Sequence, residues 1–159
     1  MDRSVQLNDE VKVLRQVPMF AGIAPAKLKL LAYTSDRLSY RCGEALFRQG
    51  EDGDAAFVIL NGTADVLVET DRGEVKVAEL AENAVVGEIA ILCDIARTAT
   101  VRAATPVEAL RISKENFLKL LSDFPEMTIE IVRVLASRLA HTTSELTAER
   151  LGHQEPGQT

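Results

Sequence analysis

Arg97 follows Glu88 by nine residues in the segment VGEIAILCDIARTATVRA, residues 86 to 103. A strand beginning at Arg97 places Arg97, Ala99, Val101 and Ala103 on one face and Thr98, Thr100 and Arg102 on the other, because strand side chains alternate. On that register the guanidinium shares its face with small apolar side chains. It cannot shed its proton, and leaving it buried and unpaired costs on the order of several kcal/mol, so the site must supply an anion. Glu88 is one candidate, giving an ordinary buried ion pair. The neighbouring residues allow another. Gly87 admits close backbone approach, and Glu88-Ile-Ala-Ile-Leu92 can form one helical turn whose free N–H groups point at an anion. A phosphate in that cradle would meet Arg97 through its planar fork. Glu88 would repel the phosphate and must then accept from a neutral donor such as a sugar hydroxyl. A phosphate and a hydroxyl joined in one small molecule describe a nucleotide.

This stretch resembles the phosphate-binding cassette of cyclic-nucleotide-binding domains, the family of catabolite-activator, kinase-regulatory and nucleotide-gated-channel sensors. The family pattern is met by Val86, Gly87, Glu88, Ala90, Ile91, the spacer 92 to 96, Arg97, Thr98 and Ala99. A second family signature lies upstream in GEDGDAAFVILNG, residues 50 to 62, and the resemblance covers roughly residues 15 to 146. Ala56 stands where the family often has a bulky residue, and Ala96 where many relatives have proline. The resemblance implies that Arg97 and the N–H groups of Ile89, Ala90 and Ala99 hold the phosphate, beside Gly87, while Glu88 takes the ribose 2′-hydroxyl. It further implies that Thr142 hydrogen-bonds the base in its own subunit and that Thr143 reaches the ligand of a second subunit. Two solvent-facing threonines on a helix are the plain alternative. Thr98 resembles the hydroxyl that contacts guanine in cGMP-favouring members, but many cAMP binders share it.

The chain has 159 residues, 47% of them hydrophobic, enough for one well-buried core and too few for two full domains. Its net charge of −6 and the lack of a basic stripe argue against direct nucleic-acid contact. The longest apolar run, Ala55 to Leu60, is far short of a membrane segment, and the N-terminus MDRSVQLNDE carries no apolar signal, so a cytoplasmic protein is expected. Cys42 and Cys93 fit neither a disulfide framework nor a metal knuckle and are expected to be reduced and structural. Asn61-Gly62 is expected to form a hairpin turn.

The elements expected to position the cassette run helix, sheet, helix. Leu7, Val11 and Leu14 mark a first helix closed by Pro18, and Leu28 and Leu31 a second after Pro25. Strands are expected over 37 to 40, 45 to 49, 55 to 60, 63 to 69, 74 to 80, 84 to 86, 97 to 103 and 107 to 112. Eight strands at this spacing predict a mainly β fold with flanking α elements, an eight-stranded double-sheet jelly roll. Ser113 should cap a helix to about Ser122, and Asp123 a last one to about Arg150 with Glu126 in its first turn. The expected organisation is an N-terminal helical segment 1–33, a β-roll 34–113 with the cassette at 86–99, lid or dimerisation helices 114–150, and a disordered tail 151–159. Val132, Leu135, Leu139, Thr142 and Leu146 recur at three and four residues, which predicts either a homodimer seam or a stripe packed on the barrel.

The expected function is a non-enzymatic receptor for cAMP, slightly preferred, or cGMP, with no cofactor and no metal. Ligand would shift the helices after Pro125, a lid over the base, and an effector would sense that movement. The effector would be a separate protein or a missing output domain, since the chain reaches GHQEPGQT without a helix-turn-helix. One alternative is a dimerisation or docking module without ligand. The other, a cupin-like enzyme, needs several His and Glu ligands inside the barrel, yet residues 34 to 113 hold no histidine; His141 and His153 lie outside it.

Overall fold

The computed structural model describes residues 3–154, with side chains described for residues 7–141. Helix α1 (Arg3–Gln16) ends at a 3-10 turn, Pro18–Phe20, and α2 (Pro25–Thr34) follows, each of the latter two opened by a proline whose missing N–H costs a helix start nothing. Eight strands come next: β1 (Asp36–Tyr40), β2 (Ala45–Phe47), β3 (Ala55–Asn61), β4 (Ala64–Thr70), β5 (Gly73–Leu80), β6 (Val85–Val86), β7 (Thr100–Ala103) and β8 (Val107–Ser113). Helix α3 (Glu88–Cys93) interrupts them, and α4 (Lys114–Asp123) and α5 (Pro125–Gln154) complete the described chain. The strands form two four-stranded sheets, ordered β1-β8-β3-β6 and β2-β7-β4-β5, with every pairing antiparallel. This is the double-sheet jelly roll with flanking helices that the strand spacing predicts.

Strand β3 shows how the two layers join. Ala56, Val58 and Leu60 face the helices, packing with Leu14, Leu28, Phe117 and Ile131, while Ala55, Phe57 and Ile59, beside Ala109 of the neighbouring β8, face Val101 and Ala103 of the other sheet. Both faces of β3 are therefore covered, which explains its unbroken apolar run where a one-sided strand would alternate. The small Ala56 belongs to the helix side of that strand, completely buried.

Four expectations are corrected here. Asn61-Gly62 does not turn a hairpin, because β3 and β4 belong to different sheets. It is a corner between the sheets: Gly62 has φ +93°, and a side chain there would strike the Pro106 carbonyl. Asp123 does not cap α5 but is the last residue of α4. Pro125 disfavours helical geometry at Phe124, which takes φ −130° and ψ 81° and separates the helices. Ser113 does cap α4, its hydroxyl accepting from the Asn116 N–H at 3.2 Å. Helix α5 continues past Arg150 to Gln154, so residues 151–154 are helical, and the rest of the expected tail, 155–159, lies outside the described residues. Finally, Cys42 and Cys93 are free but exposed, so neither is part of the core.

Candidate functional site

The strand carrying Arg97 starts three residues later than its alternation implies, at Thr100. Residues 96 and 97 pair instead with the β2–β3 loop: Asp52 bridges Ala96, the Arg97 N–H donates to the Glu51 carbonyl at 2.8 Å, and Gly50 donates to the Arg97 carbonyl at 2.9 Å. The loop turns the guanidinium inward, so Arg97 is buried for a different reason than a place on the core face of β7. Thr100, expected outward, is itself buried and accepts from the Gln49 N–H.

The Arg97 side chain is only 2% exposed. Its Nη1 donates to the Gly87 carbonyl at 2.9 Å and its Nη2 to the Ala55 carbonyl at 2.6 Å, while Nε has no hydrogen-bond partner. Among the described residues the carboxylate that pairs with it is that of Asp54, at 3.9 Å and 72% exposed. Burial accordingly draws the guanidinium below its ordinary pKa, against the opposing pull of Asp54 and Glu51. Glu88 is not its ion-pair partner. That carboxylate, 3% exposed, accepts instead from Arg138 of α5 at 3.0 Å.

Glu88 opens α3, and Gly87 precedes it at φ +92°, a left-handed conformation suited to glycine. The short helix is held close to the β2–β3 loop by Gly53: a side chain at 53 would collide with Ala90. These elements line one cavity of about 340 Å³, within the usual range for small-molecule sites. Gly87, Glu88, Ile89, Ala90, Arg97, Thr98 and Ala99 all border it, closed on other sides by Val66, Leu80, Val85, Phe47 and Arg138. Thr142 and Thr143 fall on α5, but their side chains lie outside the described ones.

Three contributors escaped the sequence reading. Arg138 closes the cavity from fifty residues beyond Glu88, though it stands one helical turn before Thr142 and so shares its stripe. Asp54 lay within the GEDGD signature as an acid without an assigned partner. Phe47 supports the Arg97 guanidinium, which lies 4.1 Å over its ring, and nothing in the alternation of β2 distinguishes it from a core residue. Among the described residues no group of His, Cys, Asp and Glu is arranged to hold a metal ion, and no helix is long and apolar enough to cross a membrane.

The model of the cyclic nucleotide-binding domain matches residues 37–124, from β1 through α4 and spanning the whole cavity floor. The chain belongs to the cyclic nucleotide-binding domain family. Its fold matches the solved structure of a cyclic nucleotide-binding-like protein from Brucella abortus, 33% identical, with a TM-score of 0.63 over 72% of this chain and 98% of that one. The cGMP-dependent protein kinase egl-4 of Caenorhabditis briggsae is 34% identical over 126 residues, 77% of this chain and 16% of the kinase. Lysophospholipase NTE1 of Phaeosphaeria nodorum is 26% identical over 130 residues, 81% of this chain and 9% of the lipase. The chain thus spans a small fraction of the curated relatives it matches.

Proposed function

We propose that the cassette cavity takes a cyclic nucleotide, with Arg97 and the N–H groups of Ile89, Ala90 and Ala99 on the phosphate and Glu88 on the ribose 2′-hydroxyl. The observation that carries this is the buried guanidinium bordering the cavity with an unpartnered Nε and, among the described residues, no carboxylate in hydrogen-bonding distance. An anion is the group that such a cation lacks. Thr98, exposed and bordering the cavity, would meet the base; Thr142 would meet it within its own subunit, and Thr143 would reach the ligand of a second subunit. The preferred nucleotide is cAMP over cGMP.

The chain acts as a receptor and not as an enzyme, converting occupancy into a change of position of α5. The Arg138–Glu88 ion pair supports that role, because the same residue borders the cavity and pairs with the helix. A ribose hydroxyl that engages Glu88 alters the geometry of that anchor, and α5 responds through Arg138. Val132 and Leu139 support a homodimer through α5: they are 59% and 68% exposed, whereas Leu135 between them packs on the helical core. The output then belongs to an effector protein or to a domain joined to this one, in the cytoplasm.

Calorimetric titration of the purified chain with cAMP, cGMP and AMP tests the proposal. Both cyclic nucleotides should bind, cAMP more tightly, with AMP far weaker. Binding of AMP alone, or of none of the three, contradicts it.

A further inference from the structure

The guanidinium of Arg97 occupies a slot with two unlike walls. On one side lies the Phe47 ring, with Cζ 4.1 Å from its centroid, and that ring is itself tilted against Phe57 at a centroid separation of 5.7 Å. On the other lies Gly87, where a Cβ would come within 2.6 Å of Nη1. The bonds at the rim of the guanidinium are few. Two carbonyls accept from it, Nε has no partner, and Asp54 is engaged more closely by Arg111, at 3.0 Å, than by Arg97, at 3.9 Å. Phe47 also borders two cavities at once, the cassette cavity and a second of about 370 Å³ lined by Glu51, Asp52 and Asp54, and Arg97 borders both. Without the ring, two carbonyl bonds would leave the side chain free to tip toward the acidic second cavity, where Glu51, Asp52 and Asp54 lie.

Resting on the phosphate reading of the cassette cavity, we propose that Phe47 is a positioning residue: its ring face holds the Arg97 guanidinium in the slot before ligand arrives. A flat cation stacks on an aromatic face, and a side chain already immobilised loses less freedom on binding. A ring that merely fills core volume makes the opposite demand on substitutions. Leucine would then serve well, and tyrosine, with its added hydroxyl, poorly. A ring that positions Arg97 makes tyrosine serve and leucine fail.

The test measures the dissociation constant for cAMP in the parent, Phe47→Leu, Phe47→Tyr and Arg97→Ala, with thermal melts alongside. Phe47→Leu should bind about 3- to 10-fold more weakly, the order expected from lost stacking and preorganisation, and Phe47→Tyr should stay within about 2-fold of the parent. If Phe47→Leu binds as the parent does while Arg97→Ala has lost binding, the role of Phe47 is overturned and the site reading stands. If Arg97→Ala binds as the parent does, the site reading itself fails. Should Phe47→Leu not fold, the Arg97 Nε–H resonance of the parent decides by NMR. Displacement by the ring current of Phe47 is expected, and an ordinary arginine position overturns the proposal.

Discussion

Replacing Glu88 by glutamine separates its two roles. The carboxylate is 3% exposed, so a ribose hydroxyl would donate to it away from bulk water. Hydrogen bonds to charged groups contribute about 1.5–3 kcal/mol and neutral ones about 0.5–1.5, so glutamine should cost the ribose contact about 1–2 kcal/mol, roughly 5- to 30-fold in affinity. The same substitution removes the charge that holds Arg138 at 3.0 Å, but that loss falls on every ligand alike. A cycle isolates the first effect. Parent and Glu88→Gln are each titrated with cAMP and with 2′-deoxy-cAMP by calorimetry, and the cAMP preference should shrink by that factor in the variant. Equal losses for the two ligands would show that Glu88 serves only to anchor α5 and would refute its contact with the sugar.

Other substitutions probe the frame around the site. Gly87→Ala adds a Cβ 2.6 Å from Nη1 of Arg97 and 3.2 Å from the Ala55 carbonyl at a φ of +92°; nucleotide affinity should fall at least about tenfold, with about 1–2 kcal/mol lost in a urea melt for the left-handed strain alone. Ser113→Ala deletes the α4 cap and should lower stability by about 1 kcal/mol, a shift of about 2–4 °C in melting temperature, with ligand affinity unchanged. The pair Val132→Glu with Leu139→Glu charges the exposed stripe of α5, and sedimentation is expected to find a dimer for the parent and a monomer for this variant. A parent that already sediments as a monomer would remove the seam.

Local sequence rules reached furthest where neighbours in the chain are also neighbours in space. The cassette is one such place, since Gly87 to Ala90 and Arg97 to Ala99 border a single cavity. The capping of α4 by Ser113 is another. Arg97 shows the limit. Its burial followed from the small residues after it, yet the cause is the β2–β3 loop, which pairs with residues 96 and 97 and delays the strand to Thr100. Strand alternation carries no information about a loop lying forty-odd positions away. The same holds for Arg138, whose partner Glu88 lies on a different element, and for the Asn61-Gly62 corner, whose dipeptide suits a hairpin but whose flanking strands pair elsewhere. Unbroken burial of β3 hid its two faces for a related reason: helices cover one side and the opposite sheet the other.

Calorimetric titration of cAMP into Arg97→Ala, beside the parent, bears most directly on the site. A buried guanidinium awaiting a phosphate predicts a loss of about 2–5 kcal/mol, roughly 30-fold or more, with the variant still folded. An Arg97→Ala chain that binds cAMP as tightly as the parent would mean that the phosphate is held elsewhere.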